Sequence, residues 1–443
     1  MRPTQHDGER HPAGVWLHTF GCKANQYDTE RMRQELEARG ALALDDPATA
    51  RVAVLNTCTV TERADHEAAR LVRRLGRRHP DLRIVVAGCS SALRADRYRA
   101  MPEVAAVVAG HDPVAVAVAA EPDLDLARTD EEPIGAPLLR TNRRGTRGWL
   151  KIQDGCDRRC SFCATRLARG ASRSRAADEV VAEARLLASS HGEIVLTGIH
   201  IGHYGRDGAE TPTLAKLVAR LLDEVPEVRF RLGSIEATEI EDPLVDLLAR
   251  PGGRLAPHLH VPLQSGSDAV LRRMRRWHTR DAYRRRVREI AVRLGPFGLG
   301  ADVIAGFPGE TAADHAATRD LLEELPFTYL HVFPWSPRSG TIAASLPDRV
   351  TPDVATVRAG ELREIGVRKG TAYAGARAGG DALVAVETAA TGLTGDYLRV
   401  RLAAGAAPGT LLRVRLRAGP AGLRGEPGRT GRAALPVLAA APA

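Results

Sequence analysis

Three cysteines, Cys156, Cys160 and Cys163, lie together in the stretch Lys151-Ile-Gln-Asp-Gly-Cys-Asp-Arg-Arg-Cys-Ser-Phe-Cys163. Their C-x3-C-x2-C spacing can bring three thiolates to one metal centre. A 4Fe–4S cluster ordinarily takes four cysteines, so three ligands leave one iron open to a small molecule. Structural zinc takes four closed ligands, usually as two C-x2-C-like pairs. No second pair lies nearby, and the next histidine is His191. The alternating Gly148-Trp-Leu-Lys-Ile-Gln153 reads as a strand. The loop therefore stands at a strand's C-terminal end, where α/β folds build their sites.

The other three cysteines follow a different pattern. Val15 to Phe20, Arg51 to Leu55 and Leu82 to Ala87 read as strands, and Cys22, Cys58 and Cys89 each stand just past one of them. Helices are predicted over Thr29 to Arg39, closed by Gly40, and over Glu62 to Arg78. This alternation predicts βαβ units in a parallel sheet. The C-terminal ends of parallel strands share one edge, so the three cysteines converge there. Buried cysteines are common as small apolar core residues, but three at equivalent places favour a second three-cysteine cluster site. The six cysteines then divide into two triads with none left over.

A second β/α series runs from about 147 to 345. Its strands are read at 148–153, Glu193 to Thr197, Val228 to Leu232, His258 to Leu263, Gly300 to Ala305 and Tyr329 to Phe333. Helices are read at Asp178 to Ser189, Leu214 to Glu224 and Thr279 to Leu294. Six units fall short of the eight of a closed barrel. Residues 351 to 372 read as helix. Beyond Gly379-Gly380, short alternating strands at Ala382 to Glu387, Asp396 to Leu402 and Thr410 to Leu416 predict a small OB-like barrel. On it Arg399 and Arg401 share one strand face, as do Arg413, Arg415 and Arg417. Such a face suits a nucleic-acid backbone, and an ordinary solvated strand face has the same pattern. The reading gives domains at 13–122, 142–371 and 372–436. A Pro-, Asp-, Gly- and Arg-rich linker spans 123–141, and a loose Ala/Pro tail follows Arg432.

The chain has 443 residues, net charge +9 and four lysines, so its basic charge is nearly all arginine. That balance favours a polyanionic partner. Met1 to Gly14 is polar and has no apolar signal-peptide core. No run of about 18 apolar residues exists to span a membrane. Six cysteines without a secretion signal argue for metal or redox chemistry in a reducing cytoplasm.

The loop motif, with Phe162 between its last two cysteines, resembles the radical S-adenosylmethionine superfamily. That resemblance implies a partial (β/α)6 barrel. It also implies a cluster that binds S-adenosylmethionine at its open iron and reductively cleaves it to methionine and a 5′-deoxyadenosyl radical. The fuller set of motifs resembles the methylthiotransferases, a two-cluster branch of that superfamily. These motifs are Thr19–Glu30, Asn56–Thr61, Ala87–Cys89, Arg169–Arg175, Leu196–Gly202, Ser234–Glu236, Pro262–Ser267, Asp302–Thr311 and His331–Thr341. The C-terminal barrel resembles the RNA-binding TRAM domain.

This resemblance implies an α/β chain with an N-terminal flavodoxin-like domain, the radical barrel and a TRAM barrel. Two 4Fe–4S clusters are implied, on Cys156/Cys160/Cys163 and Cys22/Cys58/Cys89, the second carrying or donating a methylated sulfur. Candidate S-adenosylmethionine contacts are Thr197, Gly198, Ser234, Glu236, Gln264, Ser265, Pro334 and Trp335. Arg169, Arg173 and Arg175 are candidates for phosphate or cofactor-carboxylate contact. Lys23, Gln26-Tyr27 and Leu196-Thr-Gly-Ile-His-Ile-Gly202 resemble the branch acting on threonylcarbamoyl-adenosine beside the tRNA anticodon. The alternatives are isopentenyl-adenosine in tRNA, an aspartate of a ribosomal protein, and a non-enzymatic RNA-binding electron-transfer protein. A monomer served by a flavodoxin- or ferredoxin-type reductant is expected. The chain departs from the family's pattern at Ala164–Gly170 and at Ser90-Ser91-Ala92.

Overall fold

The computed structural model describes residues 14–120, 138–143, 145–208, 211–402, 405–420 and 422–427. Most of the expected linker, the first thirteen residues and the C-terminal tail lie outside them. The chain divides into two compact units, Met1–Pro137 and Leu138–Ala443.

In the first unit, five parallel strands run Gly14–Thr19, Leu42–Leu44, Val52–Thr57, Arg83–Gly88 and Val104–Val107. Numbered along the chain, they stand in the order 2-1-3-4-5, the flavodoxin-like order. Val15, Leu17, Val52, Val54 and Val85 fill the core on one side, and Ala53, Leu55, Ile84 and Val86 fill the other. The first helix, Lys23–Ala38, begins six residues earlier than its periodicity predicts. Its first turns bury Asn25, Asp28, Thr29 and Glu30, so the usual polar-outside pattern is missing there. Cys22 is its N-cap residue, and Cys89 opens the helix Cys89–Arg99.

In the second unit, two three-stranded parallel sheets follow one another. Gly148–Lys151, Glu193–Thr197 and Arg229–Leu232 form one, and His258–His260, Gly298–Ala305 and Tyr329–Pro334 the other. A parallel bridge between Ser234 and His260 joins them. This is the six-unit partial barrel. The fourth strand ends at His260, three residues sooner than its apolar run suggests.

A 26-residue helix, Pro352–Arg377, leads into a closed five-stranded barrel. Its strands are Asp381–Thr388, Thr391–Thr394, Arg399–Leu402, Leu411–Gly419 and Gly422–Pro427. The expected strand from Asp396 starts only at Arg399. Tyr397 takes a positive φ of 70° in the turn before it. That turn docks at the radical barrel. Arg231 donates to the carbonyls of Thr394 and Gly395, each at 2.8 Å, and lies over the Tyr397 ring. Tyr397 in turn stacks on His258 and Tyr329. Arg229 and Arg231 both pair with the fully buried Glu193. Burial opposes ionisation of Glu193, but the two guanidinium groups outweigh it and hold the carboxyl well below its usual range.

Candidate functional site

The loop carrying Cys156, Cys160 and Cys163 is braced from within. Gly155 has a φ of +72°, and a Cβ there would lie 1.8 Å from the Ala171 carbonyl oxygen. Between the last two cysteines, Ser161 donates from Oγ to the Arg273 carbonyl at 2.7 Å and from its amide to Met274. Phe162 packs edge-on against Phe307, in a small core shared with Met274, Ala343 and Trp335. Gln153, at the loop's base, donates from Nε2 to the Gly155 carbonyl at 2.7 Å. Its Oε1 accepts the amides of Ile199 and His200. One side chain thus ties the cysteine loop to the next strand's exit loop.

Burial pushes the Cys156 thiol up to about 12, against a backbone hydrogen bond from Arg158, and the adjoining Cys163 and Cys160 push the same way. Burial also raises Cys160, against the pull of Arg276. Burial thus keeps Cys156 and Cys160 protonated unless a cation takes the protons' place. This donor set fits the three-thiolate site of an iron–sulfur cluster.

Two carboxylates, Glu236 and Glu239, anchor side chains beside the loop. Arg276 pairs with Glu236, and its Nη1 lies 3.6 Å from Cys160 Sγ. His200 places Nδ1 3.5 Å from Cys156 Sγ and Nε2 2.7 Å from Glu239. Arg158 reaches the other Glu239 oxygen at 2.8 Å. Arg158 and Arg276 both lie over the Trp277 ring, at 4.1 and 4.2 Å. A Cβ at Gly202 would meet Glu239 Oε2 at 2.3 Å, so Gly202 is what lets Glu239 come in beside His200.

The expected cofactor contacts divide. Glu236 stands beside Cys160 through Arg276. Thr197 ends its strand and pairs with Lys151, and a Cβ at Gly198 would meet the Gln153 carbonyl oxygen at 2.7 Å. Gln264 holds a positive φ of 68°, a strained conformation of the kind that clusters at functional sites. Trp335 shares the Phe162 core. Pro334 pairs with Ala305 at the strand end, and Ser234 bridges to His260. Ser265 is buried with its hydroxyl 3.3 Å from that of Thr318, so it pins the turn to a helix.

Among the candidate phosphate contacts, only Arg173 is exposed. Arg169 is buried and pairs with Asp154 at 2.9 Å, and Arg175 pairs with Glu183 at 3.0 Å and donates to the Lys151 carbonyl. Both brace the loop, and neither is presented outward as a phosphate contact would be. Sequence reasoning missed Gln153, His200, Glu239, Arg276 and Trp277. Gln153 and His200 lie within recognised stretches and Glu239 three residues past one, but the roles of all five depend on partners distant in the chain, as Arg276 does on Cys160, 116 residues away.

In the first unit, Asn25 gathers the other triad. Its Nδ2 donates to the carbonyls of Phe20 and Thr57, and its Oδ1 lies 3.7 Å from Cys89 Sγ. Gly21, with φ +97°, packs so closely that a Cβ would sit 2.5 Å from Cys58 Sγ. His111, which the sequence did not point to, places Nε2 3.4 Å from Cys89 Sγ. Cys22 is exposed, whereas Cys58 and Cys89 are buried. The three strand ends therefore converge.

On the C-terminal barrel, Arg399, Arg401, Arg413, Arg415 and Arg417 are exposed on the outer face. Register sets Arg401 opposite Arg424, and Arg424 opposite Arg417, so three arginines cross adjacent strands in one row. Arg417 pairs with Glu426 at 3.1 Å and Arg415 with Asp381 at 3.4 Å, both in the open. Exposed pairs of this kind hold weakly.

A partial six-unit barrel with a three-cysteine loop on its C-terminal edge defines a radical S-adenosylmethionine protein. Residues 150–322 match the profile of the Radical SAM superfamily, and residues 14–110 match that of Uncharacterized protein family UPF0004. The chain is 38% identical over 364 residues to the threonylcarbamoyladenosine tRNA methylthiotransferase of Bacillus subtilis, covering 79% of each chain. It is 34% identical to the tRNA-2-methylthio-N(6)-dimethylallyladenosine synthase of Acidothermus cellulolyticus, covering 79% of this chain and 73% of that one. A solved radical S-adenosylmethionine methyltransferase from Kitasatospora setae shares the fold, with a TM-score of 0.54, 16% identity and 75% coverage of each chain. The chain belongs to the radical S-adenosylmethionine methylthiotransferase family, whose members use S-adenosylmethionine and iron–sulfur clusters. Among the described residues, no helix is long and apolar enough to cross a membrane.

Proposed function

We propose that this enzyme inserts a methylthio group at C2 of threonylcarbamoyl-adenosine beside the tRNA anticodon. The observation that carries this reading is the 38% identity, over most of both chains, with a relative named for that substrate. The Lys23, Gln26-Tyr27 and His200 motifs point the same way. We assign one 4Fe–4S cluster to Cys156, Cys160 and Cys163 and the other to Cys22, Cys58 and Cys89. When bound, the first supplies the electron that cleaves S-adenosylmethionine, and the second holds the sulfur to be transferred.

The protein's own residues position and exclude. Gln153, Ser161 and Phe162 fix the cysteine loop, Glu236 offers a carboxylate to the cofactor's ammonium, and Gly198 keeps the adjoining loop close to Gln153. Arg173 and the row Arg401–Arg424–Arg417, with Arg399, Arg413 and Arg415, take RNA phosphates. Arg169 and Arg175 leave that set because they are paired inside the loop. The functional domains are 13–122, 142–371 and 372–436, with 123–141 as linker. The enzyme acts in the cytoplasm as a monomer, with a flavodoxin- or ferredoxin-type reductant.

Mass spectrometry of tRNA nucleosides from cells with and without the gene tests this. Loss of the methylthio-threonylcarbamoyl nucleoside alone is expected. Loss of the methylthio-isopentenyl nucleoside instead would move the enzyme to the other tRNA branch, and unchanged tRNA would refute the reading.

A further inference from the structure

Two side chains outside the cysteine loop aim nitrogen atoms at its sulfurs. Arg276 Nη1 lies 3.6 Å from Cys160 Sγ, and His200 Nδ1 lies 3.5 Å from Cys156 Sγ. Both distances are within hydrogen-bond reach of the larger sulfur atom. A metal-bound thiolate carries no proton, so in each contact the nitrogen is the donor, and because the Glu239 carboxylate also accepts from Nε2, His200 makes both contacts only with an N–H on each ring nitrogen. Neither side chain is free to turn away. Arg276 is held by Glu236, by the Trp277 ring and by burial, since its side chain is only 3% exposed. His200 is held through its other nitrogen by Glu239, which Arg158 anchors in turn.

From this geometry we propose that Arg276 and His200 set the reduction potential of the centre on Cys156, Cys160 and Cys163. The inference rests on the cluster ligation proposed above and adds to it a pair of tuning residues. The physical basis is that reduction places one more negative charge on the cluster and its sulfurs. N–H donors aimed at those sulfurs favour the reduced form, and hydrogen bonds to cluster sulfurs are among the levers that set such potentials. Burial lowers the local dielectric and strengthens the effect of the Arg276 charge. The electron comes from a one-electron reductant, and the oxidised donor leaves. No bond forms or breaks in this step. Arg276 and His200 thereby ease electron entry from a donor of modest potential. They are positioning residues, acting through the cysteine ligands.

The test is an EPR-monitored redox titration of the reconstituted full-length chain, with dithionite as reductant. S-adenosylmethionine is omitted, so that altered cofactor binding cannot enter. Cys22→Ala, Cys58→Ala and Cys89→Ala are introduced together so that one cluster gives the signal. Arg276→Met is expected to lower the reduction equilibrium constant about tenfold, a fall of about 59 mV for a one-electron couple. Arg276→Gln, which keeps an N–H donor without the charge, should fall by less, and His200→Phe should lower the potential independently.

Iron content is measured on every sample. About four irons per chain in the parent, with unchanged midpoints in Arg276→Met and His200→Phe, overturns the tuning role while leaving the ligation intact. Loss of iron from both of these variants also overturns it, because the residues would then be holding the loop. A parent without iron refutes the ligation reading instead.

Discussion

The two cysteine triads are built in opposite ways. Cys156, Cys160 and Cys163 come from one loop, fixed by near neighbours in sequence: Gln153, Gly155, Ser161 and Phe162. Cys22, Cys58 and Cys89 come from the ends of three different strands, gathered by the side chain of Asn25 and by the closeness of Gly21 to Cys58. The first site is set by local chain geometry. The second exists only if the parallel sheet holds its register. That difference teaches where each site is vulnerable: the loop to changes within it, the sheet edge to changes at the crossing points between strands.

The largest expected effect separates the triads by function. Cys156→Ala and Cys89→Ala should each cost about four irons per chain while leaving the other cluster in place, read by iron analysis and EPR. Loss of all iron from either variant would mean the sites are not independent. Next come the glycines. Gly155→Ala must place a Cβ 1.8 Å from a carbonyl oxygen at φ +72°, and Gly21→Ala must place one 2.5 Å from Cys58 Sγ at φ +97°. Each should destabilise its own unit by at least about 1–3 kcal/mol in chemical denaturation, and each should empty only its own cluster site.

Much of this was legible in the sequence. The runs Val52–Thr57 and Arg83–Gly88 end at Cys58 and Cys89, and parallel pairing puts such ends on one edge. The convergence therefore followed from topology without a contact being seen. The loop triad was legible from spacing alone. What stayed hidden had partners far along the chain. Val228-Arg-Phe-Arg-Leu232 reads as a strand, but nothing within it shows that both arginines are buried against Glu193, 36 and 38 residues earlier. They also reach carbonyls of the C-terminal barrel more than 150 residues later. The helix from Lys23 starts ahead of its apolar periodicity because its first turns bury Asn25, Asp28, Thr29 and Glu30. Arg276 beside Cys160 and His200 beside Cys156 carry no local mark of their role.

Smaller effects sharpen the contrast. Gln153→Leu strips the amides of Ile199 and His200 of their acceptor, and Asn25→Leu strips the Phe20 and Thr57 carbonyls of their donor. Each buried group left unpaired costs about 1–3 kcal/mol. Urea unfolding should show Gln153→Leu weakening the second unit and Asn25→Leu the first, and equal effects on both units would erase the distinction. The least effect is expected at Thr61, whose hydroxyl caps the helix after Cys58 by accepting the Ala64 amide at 3.2 Å. Thr61→Ala should cost about 1 kcal/mol, seen as a slightly lower melting temperature with the iron content unchanged.

The division of labour between the triads is tested most directly by two products of one reaction. Reconstituted enzyme is incubated with reductant, S-adenosylmethionine and tRNA bearing threonylcarbamoyl-adenosine, and 5′-deoxyadenosine and methylthiolated nucleoside are quantified together. Wild type should form both, Cys89→Ala should form deoxyadenosine without the methylthio product, and Cys156→Ala should form neither. Methylthio product from either variant, or deoxyadenosine from Cys156→Ala, would contradict the account.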